Sequence, residues 1–500
     1  MKFISTRGKS TATCAAQAIA KGLADDGGLF VPETFPLITN EDIKQMLAMD
    51  YAERACFVLH KYLEEYDYQE LLEACKNAYS KFEENDPAPV VKLDDKFFIM
   101  ELFHGPTLAF KDVALTLLPY LLRKGCDLSG IKEEVLILVA TSGDTGKAAL
   151  EGFKDANGIK IMVFYPSEGV SDMQKAQMCT QEGDNVNVVA VEGNFDDCQT
   201  AVKKIFTDSK INAQLHDENV LLSSANSMNF GRLAPQITYY FSAYCDLVNC
   251  DEIKMGDKVD FVVPTGNFGN ILAGYYAKKM GLPIGKLVCA SNSNNVLTEF
   301  FANGSYDANR EFFKTISPSM DILISSNLER LVFELFDRDA VKTAEKMAEL
   351  KSVGRYEIGD GEFEKLKKEF YAGYTDEDEC RDEIEYIFDE FGYVADPHTA
   401  VAISVANEYK DELNADNNIV VLSTASPYKF ACDVYGVVGK KRISDAFKAC
   451  DMLSEISAMP VPNQITELKN KEKRFNKVIN KKEVVDSVFE FVEKFNDINE

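Results

Sequence analysis

Short apolar runs alternate with amphipathic segments over most of the chain, starting at residue 135. The apolar runs are rich in Val, Ile and Leu: 135–140, 159–165, 186–191, 220–223, 259–263, 286–290 and 418–423. The segments between them, such as 171–181 and 195–206, place apolar residues at helical spacing. Buried strands that alternate with helices are typical of parallel sheets covered by helices on both faces. The pattern predicts an α/β fold with two three-layer α/β/α domains of mostly parallel sheet.

The two ends of the chain do not follow this pattern. The first 90 residues are predicted to be mainly helical, with a helix start at Asp67–Glu70 that has the form of a capping box. The proline-containing stretch 85–89 interrupts them, and 90–103 has the pattern of a β-hairpin. Acidic 362–390 and basic 469–482 are predicted as solvent-facing helical surface. The predicted units are an N-terminal helical segment 1–89, a first α/β domain 90–250, a second α/β domain 251–440 and a C-terminal helical extension 441–500.

The composition is that of a folded protein with more than one domain. Of 500 residues, 46% are hydrophobic and 11% aromatic, which allows large buried cores. The chain carries 54 Lys and Arg against 81 Asp and Glu, for a net charge of −27 and a pI near 4.7. A surface this negative repels phosphate backbones and anionic lipids, so we expect neither nucleic acid nor a membrane as a partner. An anionic substrate would need a locally positive site.

Cysteine and histidine usage gives no sign of a metal site. The 12 cysteines are scattered without a Cys-x-x-Cys pair, and the chain has only 4 histidines, so no metal is expected. Unpaired thiols of this kind are typical of small buried apolar groups in a reducing compartment. The first ten residues lack the apolar core of a signal peptide, and the run 135–140 is too short to span a bilayer. These features predict a cytoplasmic location.

One lysine stands in an informative context. The segment His104–Asp112 places a Gly-Pro turn before a helix whose first turn holds Lys111. Burial in a poor solvent environment lowers the pKa of a lysine and allows it to form a Schiff base with an aldehyde. By itself, the segment fits a solvent-facing lysine better, because most helical lysines are solvent-facing.

Two strand-to-helix loops have the residues of anion sites. Thr141–Gly146 follows an apolar run and precedes an Ala-rich helix, so its small residues expose backbone N–H groups. The loop does not match the P-loop motif. Thr141 stands where that motif has its first glycine, and Ala148 stands where it has Ser or Thr after the lysine. The loop Pro264–Asn270 has two glycines three residues apart, and two asparagines that add donors. Either loop fits a bound anion or an ordinary tight turn.

Two further polar stretches follow apolar runs. Ser223–Arg232 ends in an arginine whose planar guanidinium can bind an oxyanion, although a helix cap and a surface arginine would explain it equally. Val421–Phe430 contains hydroxyl side chains that can meet a neutral ring nitrogen or cap the following turn. A lysine reactive toward aldehydes, two anion loops, an arginine and a hydroxyl together suit pyridoxal phosphate.

In these motifs the sequence resembles the threonine synthase family, which has the tryptophan-synthase-β-like fold of pyridoxal-phosphate enzymes. The likeness covers nearly the whole chain. It rests on these segments: 4–8, 22–32, 104–107, 110–112, 141–146, 226–232, 266–270 and 423–430. HGPT-x-x-FKD combined with TSGDTG is specific to this family among its relatives, whereas the Gly-Asn-Phe-Gly loop is shared more loosely.

The resemblance implies that pyridoxal 5′-phosphate is the cofactor and lies between the two α/β domains. It implies that Lys111 is the catalytic lysine that binds the cofactor covalently. The other implied cofactor-binding residues are Gly266, Asn267, Phe268, Gly269 and Asn270 at the phosphate, and Thr424 at the pyridine nitrogen. The implied substrate-binding residues are Ser142, Gly143, Asp144 and Thr145 near the carboxylate, and Asn226, Ser227, Asn229 and Arg232 near the substrate phosphate.

The activity that the resemblance implies is the conversion of O-phospho-L-homoserine and water to L-threonine and phosphate, the last step of threonine biosynthesis. The protein would be a carbon–oxygen lyase that acts on a phosphate, as a monomer or a small homo-oligomer. One alternative is a dehydratase for unphosphorylated serine or threonine, which has no need for a second phosphate pocket at Arg232. Another is a protein that binds the cofactor but works through protein contacts.

Two positions depart from the family pattern. Related enzymes often carry Asn where Asp144 stands, and an ionised Asp there would repel the phenolate oxygen of the cofactor. Asp144 is therefore expected either to point elsewhere or to keep its proton. Some threonine synthases have His where Ser426 stands, so no proton-transfer role is assigned to this position.

Overall fold

The computed structural model of the chain describes residues 1–141, 143–168 and 170–499. Its first 79 residues contain a small antiparallel sheet as well as the expected helices. The elements are β1 (Lys2–Ser5), β2 (Thr13–Cys14), α1 (Ala15–Lys21), β3 (Phe30–Pro32), α2 (Asn40–Met46), α3 (Tyr51–His60) and α4 (Tyr68–Tyr79). The strands have the order β2-β1-β3. Asp67 caps α4, since its carboxylate accepts from the backbone N–H groups of Gln69 and Glu70, which is one half of the predicted capping box.

The next part of the chain begins with a hairpin and continues with alternating helices and strands. Its elements are β4 (Val90–Asp94), β5 (Phe97–Glu101), α5 (Lys111–Leu115), α6 (Leu118–Leu128), β6 (Glu134–Ala140), α7 (Asp144–Phe153), β7 (Ile159–Pro166), α8 (Asp172–Cys179), β8 (Val186–Glu192), α9 (Phe195–Thr207), α10 (Ser209–Asp217), β9 (Val220–Ser223) and α11 (Phe230–Asn249).

The remainder of the chain repeats this alternation and ends in helices. Its elements are β10 (Val259–Pro264), α12 (Gly269–Lys279), β11 (Ile284–Ser291), α13 (Val296–Asn303), β12 (Ser305–Asp307), α14 (Leu328–Leu335), α15 (Ala340–Val353), β13 (Arg355–Glu357), α16 (Asp360–Glu369), β14 (Phe370–Tyr374), α17 (Glu377–Phe391), α18 (Pro397–Leu413), β15 (Asn418–Ser423), α19 (Ala431–Val438), α20 (Ala446–Ser457), α21 (Asn463–Thr466), β16 (Val478–Asn480) and α22 (Val484–Asn499).

Two largely parallel sheets organise these elements. One is five-stranded, with the order β16-β8-β7-β6-β9 and parallel pairing throughout. The other is six-stranded, with the order β14-β11-β10-β15-β5-β4, and only its edge pair β4–β5 is antiparallel. The predicted α/β class with parallel sheets is confirmed, and each apolar run named above lies in a strand.

Buried side chains on the two faces of each sheet belong to different cores. In β10, Phe261 and Val263 contribute to one cluster and Val262 to another. In β6, Ile137 belongs to the same first cluster, whereas Leu138 belongs to a third. The first cluster is therefore shared by both sheets, as expected for strands whose side chains alternate between two covered faces.

The structure differs from the prediction in three places. The N-terminal sheet β1–β3 was not predicted, because its strands are short and pair with partners distant in sequence. The predicted helix over 469–482 is wrong: Val478–Asn480 is a strand that pairs with β8. The acidic stretch 362–390 is helical but is interrupted by β14.

The domain limits at 89, 250 and 440 stay predictions. Strands β4 and β5, which lie in the predicted 90–250 unit, hydrogen-bond into the six-stranded sheet. Among the described residues, no helix combines the length and the apolar character that crossing a membrane would require.

Candidate active site

Lys111 is the first residue of α5 and is almost completely covered. Its Nζ lies 4.8 Å from the ring centre of Phe110, 3.5 Å from Ser319 Oγ and 3.9 Å from Asp144 Oδ2. Burial lowers the pKa of Lys111 to about 8; Asp144 acts against this shift, and the cations Lys429 and Arg232 act with it. A neutral, nucleophilic amine is therefore accessible near physiological pH.

The segment before Lys111 folds back onto the first turn of its helix. The carboxylate of Asp112 accepts from the backbone N–H of Thr107 at 2.8 Å and from its hydroxyl at 2.6 Å. Burial raises the pKa of Asp112 to about 6, partly offset by these two hydrogen bonds. A Cβ on Gly105 would stand 2.6 Å from Asp112 Oδ2, so only glycine allows this approach. The Gly-Pro turn thus fixes the position of the lysine.

The loop after β6 is held by its own threonine. The hydroxyl of Thr141 accepts from the backbone N–H groups of Gly143 and Gly146, both at 3.0 Å. Gly143 and Asp144 are buried at the start of α7, and Thr145 is half-buried. Ser142, which was predicted to bind substrate, lies outside the described residues.

Asp144 lies beside Lys111, with its Oδ2 3.9 Å from Nζ. Its Oδ1 lies 2.7 Å from the Nζ of Lys429 and accepts from Gln174 at 3.1 Å. Burial alone would raise the pKa of Asp144, but Lys429 and Lys111 hold it well below its ordinary value. Asp144 is therefore ionised beside Lys111, and its charge is balanced by a fully buried lysine.

The loop between β10 and α12 presents a helix start to the same region. Phe268 adopts a left-handed conformation (φ 62°), and its ring is buried against Phe301 and Phe370. Its side chain thus anchors the loop, and only its backbone can face a ligand. A Cβ on Gly266 would stand 2.6 Å from the backbone oxygen of Ser319. The first N–H groups of α12 lack partners within the helix, which makes this turn suited to an anion.

Asn270, in the first turn of α12, has a buried amide nitrogen without a hydrogen-bond partner among the described residues. Asn267 is exposed, and its Oδ1 accepts from the hydroxyl of Ser326 at 3.3 Å. The same Ser326 hydroxyl lies 3.4 Å from the hydroxyl of Ser227. The structure therefore brings the 266–270 loop and the 226–232 loop together.

Arg232 is buried in the first turns of α11, with only 3% of its surface exposed. Its Nη1 donates to the backbone oxygen of Ala225 at 2.7 Å, and its Nε has no hydrogen-bond partner among the residues that the structure describes. Burial lowers the pKa of Arg232 to about 10. Within residues 1–141, 143–168 and 170–499, no carboxylate forms an ion pair with it, which is unfavourable for a buried cation unless an anion binds there.

The other residues of the 226–232 loop support its shape. The amide nitrogen of Asn229 donates to Ile19 and Ser224 carbonyls, both at 3.0 Å, and its oxygen accepts from Gly231 N at 2.9 Å. Because this side chain is fully engaged, we propose a supporting role for Asn229 in place of the predicted substrate contact. Asn226 is half-buried, and its backbone oxygen accepts from Asn229 N at 3.1 Å.

The segment after β15 runs beside the lysine. The backbone oxygen of Thr424 accepts from Phe110 N at 2.9 Å, and Ala109 and Ala425 form an isolated antiparallel β-bridge. These contacts place Thr424 next to Lys111. Ser426 caps the following 3₁₀ turn through Tyr428 N. The hydroxyl of Ser423 lies 2.9 Å from that of Thr399. Of these hydroxyls, Ser423 and Ser426 have protein partners, so Thr424 stays the candidate for a ring nitrogen.

Sequence reasoning missed Lys429 and a buried Asp–His pair. His398 Nδ1 lies 2.6 Å from Asp396 Oδ1, and His398 Nε2 accepts from the backbone N–H of Ser319 at 3.1 Å. Because Nε2 accepts this hydrogen bond, it carries no proton, and the ring proton lies on Nδ1, which faces Asp396. The pair holds the turn that carries Ser319 over Lys111. Its signal in the sequence was a rare histidine next to a helix-capping Asp-Pro.

Models of three protein families match this chain. One described as "Threonine synthase N terminus" matches residues 2–79, and one described as "Pyridoxal-phosphate dependent enzyme" matches residues 83–349. A third, described as "Threonine synthase, C-terminal", matches residues 399–489. Together they include Lys111, the three loops 141–146, 226–232 and 266–270, and the segment 423–430.

Individual proteins are also similar to this chain. "Threonine synthase-like 1" of Homo sapiens is 42% identical over 478 residues, which are 92% of this chain but 64% of that protein. This chain therefore spans less than two thirds of that relative. Threonine synthase of Pseudomonas aeruginosa is 39% identical and is covered to 89%, with 86% of this chain matched. A crystal structure of PLP-bound threonine synthase from Brucella melitensis has a TM-score of 0.88 at 37% identity, covering 98% of this chain and 99% of that one.

Proposed function

This chain belongs to the threonine synthase family, and we propose that it converts O-phospho-L-homoserine and water to L-threonine and phosphate. Its fold is that of the fold type II pyridoxal-phosphate enzymes, and its cofactor is pyridoxal 5′-phosphate. In this proposal the protein is a carbon–oxygen lyase that acts on a phosphate.

The residues present fit this cofactor. An amine with a pKa lowered to about 8, Lys111, suits an aldehyde. The glycine-containing start of α12 and the unpartnered amide nitrogen of Asn270 suit a phosphate. We propose that Gly266, Asn267, Gly269 and Asn270 hold the phosphate with the backbone of Phe268, and that Thr424 faces the ring nitrogen.

One observation carries the choice of substrate: Arg232 is a buried cation close to Lys111, and no carboxylate in the described part of the chain neutralises it. A dehydratase for serine or threonine has no need for a second anion pocket. A phosphorylated amino acid supplies an anion that would satisfy the free Nε of Arg232. Ser227 lies on the same loop, facing Ser326, and supplies a neutral donor.

The chain's own groups then have distinct tasks. When bound, pyridoxal phosphate supplies an electron sink for carbon–hydrogen cleavage next to an amino group. Lys111 Nζ is placed to remove and return a proton at the substrate Cα, because its lowered pKa lets it act as a base. Arg232 holds the substrate phosphate and neutralises the charge that develops as it leaves. Gly143 and Thr145 are proposed to hold the substrate carboxylate near Asp144.

The proposal is tested by Arg232→Gln. We expect the KM for O-phospho-L-homoserine to rise by about tenfold or more, because a charge-assisted contact is lost. The affinity for pyridoxal phosphate should be unchanged. Arg123→Gln is the matched control, since Arg123 pairs with Asp127 on α6, away from these loops.

Steady-state kinetics with threonine detection, together with cofactor titration, checks both expectations. An unchanged KM in Arg232→Gln would contradict the assignment of the phosphate to this arginine. Formation of a keto acid from unphosphorylated serine or threonine, without threonine from the phosphorylated substrate, would favour a dehydratase. The absence of product from both substrates would favour a cofactor-binding protein that acts through protein contacts.

A further inference from the structure

Two tyrosines of α11 contact the amide of Asn270. Asn270 Oδ1 accepts from the hydroxyl of Tyr239 at 2.5 Å. The single proton of the Tyr240 hydroxyl has two acceptors in reach, the backbone oxygen of Asn270 at 2.8 Å and its Oδ1 at 3.0 Å, and the backbone oxygen is the closer one. Both tyrosines are completely buried, and Asn270 is 6% exposed. The carbonyl side of this amide is therefore occupied, while its Nδ2 is buried without a partner among the described residues.

Each tyrosine is a hydrogen-bond donor here. Burial raises the pKa of both phenols well above the ordinary value, so both stay protonated. Tyr239 has one proton and two acceptors in reach, and Asn270 Oδ1 at 2.5 Å is closer than Gln236 Oε1 at 3.2 Å. Gln236 is itself fixed, since its Nε2 donates to the backbone oxygen of Arg232 at 2.7 Å. The tyrosine rings pack with centres 5.0 Å apart, which leaves little freedom to turn.

The orientation of this amide decides which ligand suits it. An amide whose oxygen faced the start of α12 would repel a phosphate, whereas its NH₂ group can donate to one. The Tyr239 hydroxyl favours the second orientation, because its proton is directed at Oδ1, which is closer than Gln236 Oε1. The geometry points to Tyr239 and Tyr240 as positioning residues: Tyr239 holds the amide oxygen, Tyr240 holds the backbone oxygen and lies second to the amide, and together they direct the Asn270 NH₂ toward the phosphate of the cofactor. This inference rests on the proposed function only through the assignment of the cofactor phosphate to residues 266–270.

The test compares two ligands that differ only in the phosphate. Tyr239→Phe, Tyr240→Phe and the double variant are prepared as full-length, cofactor-free protein. Dissociation constants for pyridoxal phosphate and for pyridoxal are measured by absorbance titration. We expect the double variant to lose about tenfold in affinity for pyridoxal phosphate and to keep its affinity for pyridoxal. The single change at Tyr239 should have the larger effect, because its contact is shorter.

Tyr276→Phe is the matched control. Tyr276 is a completely buried tyrosine of α12 whose hydroxyl has no hydrogen-bond partner among the described residues. Its change removes a buried hydroxyl without altering the amide, so both dissociation constants should stay at the wild-type values. If the double variant does not fold, the single variants carry the same comparison.

The outcomes separate this inference from the proposed function. If the wild-type protein binds pyridoxal as tightly as pyridoxal phosphate, residues 266–270 do not hold the cofactor phosphate. That result would contradict both the tyrosine inference and the cofactor assignment in the proposed function. If the wild type prefers pyridoxal phosphate and the double variant keeps that preference, only the tyrosine inference is overturned. Equal losses for both ligands would also overturn it, because they indicate a packing defect in place of a lost amide orientation.

Discussion

At the scale of single residues, the reactivity of Lys111 is set by a balance of buried charges. Lys429 and Arg232 act with burial to lower the pKa of Lys111, and Asp144 opposes them. Asp144 can be ionised at this depth because Lys429 lies 2.7 Å away. The ion pair explains how an aspartate can stand where related enzymes carry a neutral side chain.

This balance predicts opposite effects for two changes. Asp144→Asn should move the pKa of Lys111 below about 8, because the carboxylate that stabilises its charge is lost. Lys429→Met should move it above about 8, because a nearby cation is removed. The rate at which cofactor-free protein takes up pyridoxal phosphate rises with pH as Lys111 becomes neutral, so its pH profile reports this pKa.

Lys147→Met provides a control for this experiment. Lys147 is also a buried lysine, but it pairs with Glu151 at 3.0 Å and is absent from the charges that shift Lys111. Its profile should match that of the wild type. Shifts of the same sign in Asp144→Asn and Lys429→Met would contradict the charge balance described here.

At the scale of elements, the turn between β10 and α12 contains two glycines, Gly266 and Gly269, that have different surroundings. Gly266 is required by the protein itself, since a Cβ there would stand 2.6 Å from the backbone oxygen of Ser319. Gly269 is not: its nearest neighbour would be Asn327 Nδ2 at 3.4 Å, an ordinary contact. We propose that the second glycine serves the approach of the cofactor phosphate to the start of the helix.

The two glycines should respond differently to alanine. Gly266→Ala should destabilise the cofactor-free protein by about 1–3 kcal/mol, because the backbone of the 318–320 turn must move. Gly269→Ala should change stability by less than about 0.5 kcal/mol but should weaken the binding of pyridoxal phosphate. Thermal unfolding and cofactor titration of both variants check this. Equal loss of stability, or unchanged cofactor affinity in Gly269→Ala, would contradict it.

The long apolar strands were predictable from sequence, whereas short edge strands were not. Every residue of β7, β10 and β15 is buried, so composition alone marks these segments. By contrast, β16 has three residues of which only Ile479 is buried, and its pairing with β8 spans almost 300 positions. Such a strand is specified by its partner and leaves no periodicity to detect.

The candidate site also combines features that the sequence predicted with features that it did not. Segments such as 141–146 and 266–270 follow strands, and parallel sheets place such loops at one edge, so their assembly was expected. Lys429 lowers the pKa of Lys111, and His398 accepts a hydrogen bond from the backbone of Ser319. Both contacts join residues that are distant in sequence. Their residue types carry no local signal for these partners, which is why sequence analysis assigned them no role.

At the scale of the whole molecule, the negative net charge of the protein repels the anionic substrate that we propose. The net charge is −27, yet Lys111, Lys429 and Arg232 gather around the candidate site. Asp144 offsets one of these charges through its pair with Lys429, so the cation that can attract an anion where the loops of both sheets meet is Arg232. The core shared by the two sheets fixes these loops relative to one another. The proposed function includes three further predictions: the domain limits, a cytoplasmic location, and a monomeric or small homo-oligomeric state.

The proposed conversion of O-phospho-L-homoserine is tested by measuring threonine and phosphate in one sample. The full chain is incubated with pyridoxal phosphate and O-phospho-L-homoserine, beside Lys111→Ala with its fold checked by circular dichroism. We predict that both products form in equal amounts and that Lys111→Ala forms neither while staying folded. Phosphate without threonine, or normal turnover by Lys111→Ala, would contradict the account.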